Sequence, residues 1–467
     1  MIVVDAYRDR KVAVFGLGRS GLSTVRALSA GGAEVLAWDD DPARRAAATE
    51  AGGRSAAPDA QAWAGIAALV LSPGVPLTHP SPHAAVTLAR DLGAEVLGDV
   101  ELFARTRPRA RIVAITGTNG KSTTTALLGH ILRQSGLAVE TGANFGRPVL
   151  DLEVLPANGV YVLELSSYQI DLCTRLRPQV SVLINLSPDH LDRHGGMQGY
   201  VAAKRRLLEM TPPGGLLVIG TDDAWSVEVA QAMRAQGRRL IEVAVGRHAR
   251  EGVFAKDGAL YRHAGCTKVC LADLRGVETL KGPHNWQNAA VAFAVAEALG
   301  LSAAQIGGAL HSFPGLPHRM EVVGRDGRVL FVNDSKATNA EAAAHALAAY
   351  ERIYWIAGGR AKAGGIDALR PYFPKLAGAY LIGEAAAPFA ATLGEAVPHE
   401  ICGDLATAVP AAAAAARAAG GGVVLLSPAC ASFDQFDSFE DRGDAFRDLA
   451  ASLTATAPRN RCVGGCG

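Results

Sequence analysis

RIVAITGTNGKSTTT, residues 111–125, runs from an apolar strand through two glycines into a segment that reads as a helix over about 121–135. A loop in that setting points backbone N–H groups and the positive end of a helix dipole at an anion. Lys121 adds a point charge for the β- and γ-phosphates of a nucleotide, and Ser122 adds a hydroxyl for Mg²⁺. The strict GxxxxGK[ST] pattern demands glycine where the chain has Ile115; its glycines are Gly117 and Gly120. The strand-to-helix setting with GxxGKS keeps every physical element of a phosphate cradle. Gly117, Thr118, Asn119, Gly120, Lys121, Ser122 and Thr123 are therefore read as a nucleotide site, against the plainer reading of a Gly-rich turn with an exposed lysine.

Outward from this loop, GVYVLELSS, VSVLINLS and GGLLVIG read as further buried strands of a parallel sheet. Upstream, KVAVF (11–15), a glycine turn, a helix over about 20–31, AEVLAWDD and ALVLSPG carry a βαβ rhythm. Downstream, RVLFVND, RIYWIAGG, GAYLIGE and GGVVLLSPA alternate with Ala-rich stretches, of which AAAAAARAAG (411–420) is simply a helix former. TRPR at 106–109 and FPGLPHR at 313–319 read as boundaries, the second as a hinge. The expected fold is α/β in three domains: a Rossmann-like N-terminal domain over 1–107, a central P-loop ATPase-like parallel sheet over 108–312, and a Rossmann-like C-terminal domain over 313–467.

Bulk properties agree. A chain of 467 residues is long for a single core. With 46 basic against 45 acidic residues, nothing favours a nucleic-acid or membrane surface as partner. The N-terminus lacks a signal-peptide apolar run, and no stretch reaches the roughly 20 apolar residues that span a bilayer. The expectation is a cytoplasmic monomer. Seven scattered cysteines suit reduced thiols; the CxxxC pairs Cys266/Cys270 and Cys462/Cys466 are not read as zinc sites.

Joined to ELSSYQ (164–169), NLSPDHLDRH (185–194), HNWQN (284–288), PHR (317–319), NDSKATN (333–339) and SPACASFDQF (427–436), the loop resembles the muramyl-peptide ligases of bacterial cell-wall synthesis. That family shares the variant loop with folylpolyglutamate synthases. The resemblance implies an ATP-dependent, ADP-forming, amide-bond-forming ligase that adds D-glutamate to UDP-MurNAc-L-Ala through an acyl phosphate, in peptidoglycan precursor synthesis. No DNPR-like segment of the diaminopimelate- or lysine-adding members is present.

The same resemblance implies roles. Lys121, Glu164, His190 and Lys204 would be catalytic. Ser122, Glu164, His190 and Lys204 would hold two Mg²⁺ ions, Lys204 as a CO₂-derived carbamate; from position alone Lys204 reads as a solvated helical lysine. His194 is read as structural. Asn285 and Asn288, one helical turn apart, would meet the nucleotide base, with Arg319 and Asp334 on phosphate and ribose, which requires the third domain to close over ATP. Thr338, Lys362, Ser432 and Phe439 match the D-glutamate pocket.

GLGRSG (16–21), with Asp39–Asp41 about 20 residues on, outlines a nicotinamide-binding fingerprint and by itself suggests a dehydrogenase. The same physics binds the diphosphate of UDP-MurNAc, for which the resemblance implies Ser20, Asp39, Ser72, Gly74 and Asn144. The run Asp39-Asp40-Asp41 departs from members that place a hydroxyl and a basic residue after the first Asp, which bears on the uracil contact. The alternatives are a sibling ligase adding another amino acid, a folylpolyglutamate-synthase-like ligase, a nicotinamide enzyme and a non-catalytic nucleotide switch.

Overall fold

The structure, a computed structural model, describes residues 1–247, 252–264, 267–360 and 365–455. Its strands gather into three sheets. The first has five parallel strands in the order Arg54–Ser55, Glu34–Trp38, Lys11–Phe15, Ala68–Leu71, Glu95–Leu97. The order reverses between Lys11–Phe15 and Ala68–Leu71, the crevice where open α/β sheets take ligands.

The second sheet has nine strands, ordered Thr267–Asp273, Ala259–Ala264, Gly252–Lys256, Leu240–Val245, Leu216–Gly220, Val180–Leu183, Arg111–Thr116, Val160–Glu164, Val139–Ala143. Its central strands are apolar runs buried on both faces, as parallel sheets require. The antiparallel extension at 252–273 has no counterpart in the sequence expectations. Its turn, Asp257 (φ +51) and Gly258 (φ +77), is the Asp-Gly pair that a tight hairpin prefers.

The third sheet runs Glu321–Asp326, Val329–Asn333, Gly422–Leu426, Ile353–Gly358, Leu376–Ile382, His399–Gly403, parallel apart from its first pair. Against it packs the Ala-rich helix Leu405–Ala418, capped by Asp404 through the Thr407 N–H at 2.8 Å. Cap and alanines together explain why this segment is helical.

These sheets fall into two compact units. Residues 1–275 with 285–313 form one, and 276–284 with the chain from 314 onward the other. Within the first unit, the first two sheets share a core in which Val14, Leu28, Leu102 and Phe103 join Tyr161, Leu163 and Leu207. The Phe103 and Tyr161 rings meet edge to face at 5.1 Å. In the second unit, Trp355 is fully buried and its indole N–H donates to the Ser427 carbonyl at 2.8 Å. No described helix is long and apolar enough to cross a membrane.

Candidate active site

The strand Arg111–Thr116 ends in Gly117 (φ +154), and the helix Lys121–Gln134 starts behind Gly120 (φ +82). At Gly120 both conformation and space demand glycine, since an added Cβ would lie 2.3 Å from Asn288 Oδ1. Ile115, where the strict motif wants glycine, is fully buried in the strand, flanked by Val182 and Glu164 on its neighbours. The cradle therefore begins two residues later than in the strict pattern, and Ile115 belongs to the core.

Two lysines converge on the turn. Lys121 Nζ donates to the carbonyls of Gly117 (2.9 Å) and Thr118 (2.7 Å). Lys204 Nζ, from the helix Met197–Met210, donates to the same Gly117 carbonyl at 2.9 Å and to Thr116 Oγ1 at 3.4 Å. Far from being solvated, Lys204 is 1% exposed and lies 4.7 Å from the Tyr200 ring centre. Burial, and then the charge of Lys121, hold its pKa well below the ordinary lysine range, against the pull of Asp189 and Glu164.

Glu164 closes the strand next to the loop and is buried. Its Oε1 accepts from Asn144 Nδ2 at 2.7 Å, while Oε2 is buried without a hydrogen-bond partner. Asn144, expected near the sugar-peptide substrate, thus orients the Glu164 carboxylate. His190 (φ +51) opens the short helix Leu191–His194, is exposed, and sits 3.4 Å from the Asp189 carboxylate. His194 is buried, paired through Nε2 with Ser167 Oγ at 2.9 Å and stacked on Tyr168. Burial first, then the neighbouring Lys204 charge, push its pKa down to about 4.

The helix Pro283–Ala298 underlies the loop. Asn288 is buried, its Oδ1 accepting from Thr124 Oγ1 (3.1 Å) and its Nδ2 donating to Asn285 Oδ1 (3.2 Å). Both ends of this amide are engaged inside the protein, so Asn288 props the loop. Sequence reasoning overlooked a second prop: Asn185 Oδ1 accepts from the Asn119 N–H at 2.9 Å, and Asn185 Nδ2 donates to Gln287 at 3.0 Å. It also overlooked the pairing of Thr118 with Tyr200 (3.1 Å). These residues stand inside the quoted motifs or beside the lysine, but their roles exist only across the sheet.

On the first sheet, Ser20 lies in the first turn of the helix Arg19–Ala30, and Ser72 follows the strand Ala68–Leu71 across the crevice. Gly16 (φ +88) packs so closely on Ser72 that a Cβ would approach its Cβ to 2.6 Å. Gly74 is exposed, its carbonyl accepting from Arg193 at 3.0 Å. The acidic run has structural duties. Asp39 accepts from the N–H groups of Leu17 (2.6 Å) and Asp41 (3.0 Å), pinning the glycine loop, and Asp41 caps the helix Pro42–Glu50. Burial would raise the Asp39 pKa, but these bonds and Arg44 hold it below the usual range.

In the second unit the expected residues sit on loops after neighbouring strands. Thr338 follows Val329–Asn333, Ser432 follows Gly422–Leu426, and Phe439 begins the helix Phe439–Ala455. Ser432 is 1% exposed with its hydroxyl unpartnered. Lys336 lies 3.8 Å from the Phe439 ring centre. Asp334 is buried, accepting from Ser427 Oγ (2.7 Å) and the Met320 N–H (3.2 Å), and burial pushes its pKa up to about 7. It ties the segment after Arg319 to the loop after Gly422–Leu426. Lys362, Cys266, Cys462 and Cys466 lie outside the described residues.

Residues 115–296 match the Mur ligase middle domain, and residues 318–430 match the glutamate ligase domain of Mur ligases. The chain is 54% identical to the UDP-N-acetylmuramoylalanine–D-glutamate ligase of Caulobacter sp. (strain K31), over 98% of this chain and all of the relative. It is 53% identical to the protein of that name from Rhizobium etli, over 97% of each. Among solved structures, the UDP-N-acetylmuramate-alanine ligase of Thermotoga maritima aligns with a TM-score of 0.59 at 17% identity, covering 95% of this chain and 99% of that one. A MurF structure from Acinetobacter baumannii aligns at 0.58 and 20%, covering 90% and 91%; these two likenesses concern the fold alone. Identity at this level along essentially the whole chain, around a phosphate loop of the variant form, means that the chain belongs to the Mur ligase family of ATP-dependent, amide-bond-forming enzymes.

Proposed function

We propose that this chain joins D-glutamate to UDP-N-acetylmuramoyl-L-alanine at the expense of ATP, by way of an acyl phosphate. The observation that carries the reading is the cluster at Gly117: Lys121 and Lys204 on one carbonyl, beside a buried Glu164 with one oxygen unpartnered. A carboxylate is a poor electrophile, and phosphorylation supplies a leaving group that an amine displaces. The printed name of the relatives at 53–54% identity supports D-glutamate as that amine.

A buried carboxylate oxygen without a donor needs a cation, and Mg²⁺ is usually bound by one or two carboxylates plus substrate phosphates rather than by an all-protein cage. This suits a chain in which no three His, Cys, Asp or Glu side chains gather among the described residues. Ser122, Glu164 and His190 are the proposed holders, and Mg²⁺ there would screen charge on the reacting oxygens. Desolvation and the Lys121 charge lower the Lys204 pKa, which favours the unprotonated amine, the form that adds to CO₂ with loss of a proton. As a carbamate it would supply the oxygens for a second ion.

In this reading residues 1–107 bind the UDP-sugar through Ser20, Asp39, Ser72, Gly74 and Asn144. Residues 108–312 bind ATP through the loop and the Asn285–Asn288 turn. Residues 313–467 bind D-glutamate through Thr338, Lys362, Ser432 and Phe439, with Arg319 and Asp334 directed to ATP. The enzyme acts as a cytoplasmic monomer. The test is phosphate release from ATP with UDP-MurNAc-L-Ala and a panel of amino acids. Dependence on D-glutamate is the expected result; turnover with L-alanine or diaminopimelate instead would overturn the substrate, and no turnover would overturn the reaction.

A further inference from the structure

Arg442 is the most fully buried guanidinium of the second unit, at 1% exposure, and it has no carboxylate within ion-pair distance among the described residues. Burial lowers its pKa to about 10, still far above neutrality, so the charge stays. Asp434 offsets part of the cost of this interior cation from beyond ion-pair distance, and the rest falls to the hydrogen bonds its directional donors make. Nε donates to Ser335 Oγ at 3.0 Å, and Nη2 to the carbonyls of Ser335 (2.9 Å) and Cys430 (3.1 Å).

Ser335 and Cys430 sit on the loops that follow Val329–Asn333 and Gly422–Leu426, neighbours in the sheet. A third loop completes the arrangement. Gly359, after Ile353–Gly358, has φ +124, and a Cβ there would meet the Ala431 carbonyl at 2.4 Å and Arg442 Nη1 at 3.2 Å. Nη1 and the nearby loop residue Ser432 Oγ are both buried and unpartnered. Ser335 Oγ in turn donates to the Phe439 carbonyl at 2.8 Å, so the one guanidinium, directly or through Ser335, holds the backbone at Ser335, Cys430 and Phe439, close in the chain to Thr338 and Ser432.

We propose that Arg442 is a positioning residue for the amino-acid substrate: its planar fork ties two loops at the carboxyl ends of adjacent strands together, with the Gly359 loop packed close by, in the geometry that receives the substrate's carboxylates. Lysine carries its donors on one nitrogen and lacks the planar fork that spaces Nε and Nη2 to reach Ser335 and Cys430 together. The inference rests on the reading that the second unit takes the amino acid.

The experiment compares Arg442→Lys and the milder Ser335→Ala with wild type, measuring KM for each of the three substrates, kcat, and Tm, with the amino acid being whichever one the wild-type panel shows to be used. We expect KM for the amino acid to rise about 10-fold or more in Arg442→Lys and about 3-fold in Ser335→Ala, with KM for ATP and the UDP-sugar within 2-fold. A uniform rise in all three KM values, or a fall in kcat with every KM unchanged, would overturn the proposal. If Arg442→Lys fails to fold, an unchanged amino-acid KM in Ser335→Ala overturns it. A wild type that prefers an amino acid other than D-glutamate overturns the proposed substrate and leaves this comparison intact.

Discussion

Lys204 and Arg442 are both basic side chains at 1% exposure, one in each compact unit, and both direct their donors to backbone carbonyl and hydroxyl oxygens. They differ in what burial does to them. The lysine amine loses its charge readily, and burial drives its pKa far down beside Lys121. The guanidinium is moved only to about 10 and remains a cation. Under the proposed function, the first unit holds the amine open to covalent change and the second a rigid fork that only holds its neighbours, so that side-chain type would divide chemistry from positioning.

The largest break in this comparison comes from exchanging the side chains. Lys204→Arg places a permanently charged fork against Gly117 that cannot add CO₂; turnover should fall by about 10³-fold, on the scale of losing a main electrostatic element, while circular dichroism shows an unchanged fold. Lys121→Ala should do the same in the phosphate-release assay. If either variant keeps wild-type turnover, the cluster at Gly117 is not the reacting centre.

Removing CO₂ sharpens the comparison with no mutation. In CO₂-free buffer activity should drop several-fold and return on adding bicarbonate, whereas KM for the amino acid, the quantity assigned to Arg442, should not respond. Mass spectrometry under gentle conditions should show the adduct on Lys204. Lack of a CO₂ effect in both measurements would remove the carbamate.

Next comes the loop that both lysines grip. Gly120→Ala forces a Cβ into a left-handed position 2.3 Å from Asn288 Oδ1 and should cost about 2 kcal/mol of stability, read by denaturant unfolding. Asn288→Ala in the same chain should recover the steric part but not the backbone part. Full recovery would show that backbone strain at Gly120 is negligible.

The smallest effect is on the pH dependence of stability in CO₂-free buffer. The folded pKa of Lys204 lies below its unfolded value, so between the two the unfolded chain binds more protons and stability rises with pH. This contribution is complete above the unfolded value of about 10.4 and is lost as pH falls through the folded one. Lys204→Met should flatten unfolding free energy against pH below 10; Arg442→Met should leave that slope alone, because the Arg442 shift begins only at about 10.

Much of this was legible in the chain. The apolar runs and glycine turns placed the sheets because parallel strands buried on two faces must be continuously hydrophobic. Gly117 to Ser122 announced a phosphate cradle because a strand, glycines, a lysine and a helix start are local features. The antiparallel strands from Gly252 on escaped because Gly252–Lys256 is a short buried run without alternation and Thr267–Asp273 is largely exposed, although the Asp257-Gly258 turn was a readable signal. The acidic run at 39–41 looked like a departure in the ligand site, and its role as a backbone acceptor and helix cap could be seen only with the loop folded against it.

By itself, then, the sequence determined the cradle, the α/β class and, through motif order, the family, since these rest on local periodicity and on residue types at fixed spacing. Tertiary structure decided which charged residues lie inside. Lys204 sits on a helix where spacing alone predicts solvent, and Arg442 in FEDRGD looks like surface. Only the packing of that helix under the Gly117 turn, and of Phe439–Ala455 against the loops after Val329–Asn333 and Gly422–Leu426, strips the water from them, and desolvation over long sequence separations is written in no local stretch of the chain.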